Sequence, residues 1–397
     1  MRRIRRVAGV AVFTLTGTLA PKQASAQLAL SAYALGVGSY ARQSDFLPAG
    51  ITLLNRDRAM VSYGAGWLAF DAAYEHVLRR QPAGGGFGIS SAGGRDFVST
   101  GWLPLDWEIS TSDRSEWRHR LDRVSVSAAR GPVDVIVGRQ AISWATTLLL
   151  TPADPFSLFD PSDPFREYRG GVDALRVRAS TGPFTELEAV VRPTDTAFGT
   201  TMTALGRVGT SKGGWAFGGW AGLLHDDPAG ALFASGVVGA TSVRSEFALR
   251  KAADGGATAR ASLGFDRFFV ASGKDLYLLG EVQFDGFGAA GPDQLLEAAT
   301  SEAFARGDMQ TLARWTIATQ ASYQIHPLVG VDALALLNAD DRSWLFAPGV
   351  TWSTTSYAST RVGLFTGVGA GAPGPLTVGS EYGSVPTLGY LSVSMFF

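Results

Sequence analysis

Cysteine is absent from the 397-residue chain, and charged residues are scarce at 17%. Without cysteine the chain cannot form a disulfide framework, a metal–thiolate site or a lipidated N-terminal cysteine. This excludes a small disulfide-stabilised domain and a lipoprotein. The charged fraction lies well below the ~25% that is usual in globular proteins. With a formal net charge of -1, the chain also lacks the clustered basic surface that nucleic acid requires. No nucleic-acid partner is therefore expected.

Long apolar runs are also absent after the first 26 residues. The longer uncharged stretches, residues 228–243 and 362–380, are divided by Gly, Ser, Thr or Pro into shorter pieces. A transmembrane helix needs ~20 consecutive apolar residues, whereas a tilted membrane β-strand needs only ~9–11. The chain also contains 49 glycines, well above the usual ~7%. These features favour many strands and tight turns over membrane helices.

The N-terminus is typical of a secretory signal peptide. Four of the first six residues are arginine, residues 7–20 are uncharged and mostly apolar, and Ala24, Ser25 and Ala26 provide small residues at the cleavage position. We therefore predict a signal peptide over residues 1–26, export by the general secretory route and a mature chain beginning near Gln27.

The last nine residues alternate like a strand with two different environments. Tyr390, Ser392 and Ser394 fall mostly on one face. The other face carries Leu391, Val393, Met395 and Phe397.

This ending resembles the C-terminal strand of outer-membrane β-barrels of Gram-negative bacteria. There, apolar residues at alternating positions before a terminal aromatic act as the insertion signal read by the barrel-assembly machinery. The resemblance implies an all-β, transmembrane antiparallel up-and-down β-barrel, surrounded by outer-membrane lipid and lipopolysaccharide. The residues alone leave open an edge strand of a soluble sandwich.

Alternating segments along the chain predict about 16–18 strands in one domain over residues 27–397, within the range of single-chain bacterial barrels. If the last strand descends to the periplasm, the connections alternate largely between long outside loops and short periplasmic turns. The two longest connections, residues 82–115 and 142–170, both fall outside, and we interpret each as a loop.

The same alternation predicts which side chains of a strand face lipid and which face the lumen. Between residues 275 and 285, Leu276, Leu278, Val282 and Phe284 are predicted to face lipid, and Asp275, Tyr277, Glu281, Gln283 and Asp285 the lumen. Arg176, Arg178, Glu186, Glu188 and Arg192 are likewise predicted to point inward. Charges on one face of many strands predict a water-filled interior.

Residues 142–170 form the most distinctive insert, and three Asp-Pro steps predict that it is ordered. As the third outside loop, it resembles in architecture the loop that folds into general porins and narrows them, with acidic residues facing a basic wall. The resemblance gives the acidic part to Asp154, Asp160, Asp163 and Glu167, and the wall to Arg123, Arg176, Arg178 and Arg192. Residues 138–140 and 171–176 are more similar to uncharacterised porin-like barrels. A loop packed at the rim for rigidity or lipopolysaccharide contact stays open.

Catalytic signals are weak. The four histidines, His76, His119, His225 and His326, show no metal-ligand spacing and no nearby serine nucleophile motif. We predict no enzyme activity, no cofactor and no metal site, but a porin-like channel for passive diffusion of small hydrophilic solutes. An outer-membrane hydrolase and a closed structural or adhesive barrel are the alternatives. A homo-oligomer is compatible with the sequence, which singles out no subunit interface.

Overall fold

The computed structural model describes residues 27–82, 101–156, 161, 163, 165, 167–251, 256–374 and 377–397. These residues form a closed antiparallel β-barrel with 18 strands in its wall. The predicted all-β, up-and-down barrel is confirmed, whereas the predicted signal peptide lies outside the described residues.

The strands run in chain order around the barrel. They are β1 Gln27–Ala41, β2 Gly50–Ala65, β3 Leu68–Arg80, β4 Asp106–Ser112, β5 Ser115–Arg130, β6 Val133–Gln140, β7 Val172–Ser180, β8 Thr185–Thr196, β9 Gly199–Lys212, β10 Trp215–Leu224, β11 Asp227–Val238, β12 Thr241–Lys251, β13 Ala257–Ala271, β14 Lys274–Asp285, β15 Trp315–His326, β16 Val329–Asn338, β17 Ser343–Ser353, β18 Ala358–Val368 and β19 Leu388–Phe396.

The last strand closes the barrel against the first. β19 pairs with β1 from Tyr33 opposite Phe396 to Ala41 opposite Leu388. One end of the barrel, the turn end, therefore carries Phe397 and the tight turns such as the one at Gly131. The opposite end, the loop end, carries the long connections.

β4 is a nineteenth strand outside the continuous wall. β3 pairs directly with β5, and β4 pairs with the part of β5 nearest the loop end, from Asp106 opposite Arg120 to Ser112 opposite Ser115. The interpretation of residues 82–115 as one long loop was wrong here. Because β6 ends at Gln140, that part of β5 would have an unpaired edge, and β4 satisfies its backbone groups.

Strand facing agrees with the alternation of the sequence. On β14 the side chain of Gln283 is 0% exposed, whereas that of Leu278, on the outer face, is 40% exposed. Glu281 and Asp285 share the inner face with Gln283, and Leu276 and Val282 share the outer face with Leu278. The barrel thus has an apolar exterior and a polar interior on this strand, as predicted.

The connection between β14 and β15 contains short helices that the sequence did not predict. A 3-10 turn, Pro292–Gln294, precedes α1 Leu295–Thr300 and α2 Glu302–Arg306. The Ser301 side chain accepts a hydrogen bond from the Phe304 N–H at the start of α2, and Gly307 ends that helix with a φ of 79°. Within the described ranges, no helix is long and apolar enough to cross a membrane.

Candidate functional site

In the loop between β6 and β7, the described residues (141–156, 161, 163, 165 and 167–171) enter the barrel and pack against its inner wall. Leu150 has 0% and Ile142 1% of its surface exposed. The Trp220 indole N–H of β10 donates to the Ala153 carbonyl at 2.8 Å, and Arg192 of β8 donates to the Phe156 carbonyl at 2.9 Å. The structure therefore places this loop in the lumen, which the sequence had left open.

Two wall carboxylates hold the first half of the loop. Glu281 of β14 accepts the backbone N–H groups of Leu148 (2.7 Å), Leu149 (2.9 Å) and Leu150 (2.7 Å). Glu246 of β12 accepts those of Thr146, Thr147 (2.9 Å) and Ala153 (2.9 Å). Because the loop has no regular secondary structure here, these carboxylates supply the acceptors that its buried amides need.

Gln310, in the connection after α2, adds a third anchor. Its side-chain carbonyl accepts the Thr151 N–H at 2.6 Å, and its amide donates to the Leu149 carbonyl at 2.7 Å. The β14–β15 connection and the inserted loop are therefore held together inside the barrel.

The second half of the loop returns to the wall near the two chain ends. Arg56 of β2 donates to the Phe165 carbonyl at 2.7 Å, and the Phe165 ring meets that of Tyr390 edge to face at 4.8 Å. The Arg58 guanidinium lies over the Tyr168 ring at 4.6 Å, a cation–π contact. The loop thus touches β12 and β14 on one side of the lumen and β2 and β19 on the other.

Replacing the anchor Glu281 with Gln is expected to loosen the loop. A neutral amide oxygen is a weaker acceptor than a carboxylate. Leaving one buried N–H without its hydrogen bond costs roughly 1–3 kcal/mol. Single-channel recordings of E281Q should therefore show larger open-state current fluctuations than wild type. Glu186 of β8 is the matched control, because E186Q removes the same charge from the inner face away from these anchors. Equal noise in both variants would contradict the anchoring role.

The lumen has a charged side and an apolar side. Ion pairs line the wall from β2 to β14: Arg58 with Glu75 and Asp122, Arg120 with Glu75, Arg176 with Glu188, Arg178 with Asp134, Arg244 with Asp266, Arg250 with Asp227 and Asp308, and Arg260 with Asp285.

Across from these pairs, buried apolar side chains of β15–β19 and β1 form one cluster with the inserted loop. They include Tyr33, Leu35, Val37, Leu336, Leu345, Phe365 and Leu388, which pack with Leu150 and Phe165. Towards the turn end this side carries the Arg361–Asp332 ion pair. The inserted loop therefore covers the apolar side of the inner wall.

The predicted acidic residues of the loop have different environments. Asp154 is buried and accepts from Ser143 Oγ (2.6 Å), Arg169 (3.2 Å) and the Phe156 N–H (3.2 Å). Asp163 is also buried and accepts the Phe165 N–H at 2.8 Å. Both therefore hold the loop's own conformation.

Glu167 is exposed, and its partial desolvation raises the pKa of its carboxyl above the ordinary value. Asp160 lies outside the described residues. Among the described acidic residues that were predicted, Glu167 is the exposed one.

The predicted arginines all lie on the inner wall, but the structure does not bring them together as one basic face. Arg176 donates to Glu188 at 2.7 Å and Arg178 pairs with Asp134, so both are neutralised by neighbouring strands. Arg192 is buried and donates to a loop carbonyl.

Arg123 lies beside Asp122 at 3.9 Å and interacts electrostatically with Tyr168, the residue after Glu167. Of the four predicted arginines, Arg123 is therefore the one that interacts with the residue next to Glu167.

Arg207 of β9 is a lumen arginine that was not predicted from the sequence. Its guanidinium lies 4.9 Å from the Phe233 ring centroid and 5.9 Å from that of Trp144. No salt-bridge partner for it is found among the described residues. The alternation of β9 would have placed it inward, but nothing in the sequence indicates that aromatic rings would flank it.

A buried ion pair closes the base of the inserted loop. Arg139, at the end of β6, binds Asp173, at the start of β7, through Nε at 2.7 Å and Nη2 at 2.8 Å. The Leu103 N–H donates to Asp173 and the Leu103 carbonyl accepts from Arg139, both at 2.8 Å. The ion pair lies between the end of β6 and the start of β4.

Two glycines allow this close packing. Gly138 has a φ of 117°, and a Cβ there would lie 2.2 Å from the Val124 carbonyl oxygen. A Cβ on Gly171 would lie 2.0 Å from the Asp122 carbonyl oxygen. The glycines of the segments 138–140 and 171–176 are thus explained by backbone geometry at the loop base.

Comparison with known proteins shows the fold. No protein-family model matches the sequence, and no curated protein is significantly similar to it. Among solved structures, Acinetobacter baumannii OccAB1 is similar with a TM-score of 0.58 at 10% identity, covering 93% of this chain and 96% of that chain.

Two further solved structures show the same likeness. A BenF-like porin from Pseudomonas fluorescens Pf-5 gives a TM-score of 0.54 at 11% identity, covering 94% of this chain and 98% of its own. Pseudomonas aeruginosa OpdK with vanillate gives 0.52 at 11% identity, covering 93% and 98%. At such identities the shared feature is the barrel fold over almost the full length.

Proposed function

We propose that the protein is a porin-like channel of the bacterial outer membrane that lets small hydrophilic solutes diffuse passively through its lumen. The observation that supports this most directly is a closed 18-strand barrel whose third connection at the loop end folds into a charged lumen. Barrels of 16–18 strands are wide enough to hold an aqueous channel. The inserted loop would then set the size limit.

The surroundings of Arg207 favour solutes that have both an anionic group and an apolar body. Arg207 is partly exposed and offers a cationic group beside the aromatic rings of Phe233 and Trp144. OpdK has been solved with vanillate, an aromatic carboxylate. We propose that solutes of this amphipathic kind pass more readily than uniformly polar solutes of the same size.

The proposed location is the outer membrane, with lipid and lipopolysaccharide around the barrel. The outer face supports it, because large apolar side chains such as Leu232 (67% exposed) and Val362 (56% exposed) cover it. In the terminal strand Leu391, Met395 and Phe397 are exposed on the outer face, and Val393 shares that face with them. These four residues remain the proposed signal for the barrel-assembly machinery, after export by the predicted signal peptide.

The conductance of the refolded mature protein, residues 27–397, in a planar lipid bilayer tests the proposal. A channel gives discrete, stable current steps. If protein shown to be folded and inserted gives no current steps, the proposal is contradicted. Hydrolase and adhesion assays would then address the alternatives. Within the described residues, no group of three or more metal-ligating side chains is arranged to hold a metal ion.

The ion selectivity of the channel is expected to depend on pH through Glu167. Because partial desolvation raises the pKa of Glu167, its carboxyl takes up a proton at a higher pH than an ordinary glutamate, whose pKa is ~4.3. Above the raised pKa the carboxylate is charged and makes the channel prefer cations. This preference is lost as the pH falls through the pKa. Reversal potentials in a KCl gradient measured across that pH range should show the loss. E167Q should lack the transition, and an identical profile in both proteins would exclude Glu167 as its source.

A further inference from the structure

His225 is a buried imidazole at the loop end that the proposed channel does not use. It lies with Asp226 in the two-residue turn between β10 and β11, and 3% of its surface is exposed. The Thr201 hydroxyl lies 3.0 Å from its Nδ1, and its backbone N–H donates to the Thr203 hydroxyl at 3.2 Å. On the other side of the ring, Nε2 lies 3.7 Å from Asp308 Oδ1. The ring thus connects the turn both to the start of β9 and to the β14–β15 connection.

The β14–β15 connection, residues 286–314, lies across the loop end of the lumen. It leaves and re-enters the wall at adjacent strands, yet α2 contacts β8, which is six strands from β14. Asp308, just after α2, is bonded at 2.9 Å by Arg250 on the inner face of β12. Further along, the Leu312 N–H donates at 2.8 Å to Glu381 in the β18–β19 connection. Because these contacts are spread around the inside of the barrel, the position of the connection controls access from the loop end.

Most of the charge that acts on the buried ring is positive. The charged groups around it are Arg192 of β8, Asp226 of its own turn, Asp227 of β11, Arg250 of β12, and Glu302, Arg306 and Asp308 of the β14–β15 connection. The carboxylate that contacts the ring, Asp308, is already paired with Arg250. Burial, together with the three arginines, lowers the pKa of His225 to about 4, although Asp308 acts in the opposite direction. The imidazole is therefore neutral while it stays in this contact.

The turn that carries the ring has a backbone conformation that its contacts must maintain. His225 and Asp226 have φ angles of 54° and 68°, in the left-handed region that residues other than glycine adopt at a cost. The bonds of His225 to Thr201 and Thr203 offset this cost. Losing them favours a rearranged turn in which the imidazole is in water.

We propose that His225 is an acid-sensitive latch, which holds the β14–β15 connection against the β10–β11 turn and releases it as the pH falls. A proton binds more tightly to the ring in water than to the ring in the contact, so protonation favours the open arrangement. The contact is complete above the ordinary histidine pKa of ~6.5 and weakens as the pH falls towards the pKa of the buried ring. Release of the connection opens the loop end of the lumen. The latch depends on the fold and not on conduction.

Amide hydrogen exchange of the refolded mature protein, followed by mass spectrometry between about pH 7.5 and 4.5, tests the latch. After correction for the intrinsic exchange rates, the protection of residues 301–309 should fall roughly tenfold for each pH unit below ~6.5. The amides of Ala305, Gly307 and Asp308 report this change, because each donates to a carbonyl within this segment. Wall strands such as β16 should stay protected throughout, which separates release of the connection from unfolding of the barrel.

H225Q has no group that titrates at this position, so its corrected protection should not vary with pH. The matched control is H326Q at the turn end, where His326 Nδ1 accepts the Leu328 N–H at 3.2 Å on an exposed site. H326Q should behave like wild type. E167Q should also keep the wild-type transition, which separates the latch from the selectivity change assigned to Glu167. Constant protection of residues 301–309 in wild type, or the same fall in H225Q, would overturn the proposal.

The titration of the ring itself gives a second readout that does not require H225Q to fold. The chain has only four histidines, so NMR of protein labelled with ¹³C in its histidine rings can resolve each imidazole. H76Q, H119Q and H326Q assign the other three signals, and the remaining one is that of His225. It should titrate with a pKa of about 4. A His225 signal with the ordinary pKa of ~6.5 would show that the ring is already in water and would also overturn the proposal.

Discussion

Deleting residues 152–168 is expected to raise the single-channel conductance roughly two- to threefold, because the empty lumen of an 18-strand barrel is an aqueous channel. The deletion removes the part of the loop that reaches from Ala153 beside Trp220 to Tyr168 beside Arg58. It keeps residues 148–150, which Glu281 holds against β14. Conductance in a planar bilayer measures the change directly.

The deletion variant must be shown to form the same wall. A short Gly-Ser linker in place of residues 152–168 keeps β6 and β7 in register, and the folded barrel is checked by its faster migration on an unheated gel. If the folded variant conducts like wild type, the loop does not limit the channel. If the variant closes, the loop supports the lumen instead of narrowing it.

Replacing Arg139 with Leu is expected to have the largest effect on stability. The Arg139–Asp173 pair is buried, and removing one member leaves the other charge without compensation, which costs roughly 3–5 kcal/mol. Losing the Arg139 bond to the Leu103 carbonyl weakens the join between β4 and the wall as well. Denaturant titration of the barrel in lipid vesicles, followed by tryptophan fluorescence, would measure the free energy of unfolding.

A double-mutant cycle separates the ion pair from packing. R139L/D173L removes both charges, so it should be less destabilised than R139L or D173L alone. Arg178 and Asp134 provide the control, because this pair on β7 and β6 is more exposed, with side chains 40% and 22% accessible, and R178L should change the stability by about 1 kcal/mol or less. Additive effects of R139L and D173L would show that the two side chains are not coupled.

The features that could be predicted from the sequence are those that repeat locally. Facing on β14 followed from alternation alone, because Leu278 and Val282 are separated from Glu281 by odd steps along the strand. The position of residues 142–170 as the third outside loop followed from counting long and short connections. Both patterns arise from the two-residue period of a strand and the up-and-down order of the barrel.

Features that depend on distant residues could not be predicted. On β1 both faces are apolar or small, so the alternation does not show that Leu35 and Val37 face the lumen while Ala34 and Gly36 face outward. Glu281 was placed inward correctly, but its bond to Leu150 joins residues 131 positions apart. β4 was missed because its partner edge becomes available only where β6 stops.

The contacts of the inserted loop also impose an order on folding. One anchor is Arg56 of β2, which is 109 residues from Phe165 in the sequence. Others lie on β14 and β19, which follow the loop much later in the chain. Contacts between such distant residues form late, because the intervening chain must first be brought together. These anchors lie on strands on both sides of the lumen, so they surround the loop only once the barrel has closed. A newly closed barrel should therefore pass briefly through a state with a wider lumen, and the inserted loop should be the last element to take its position.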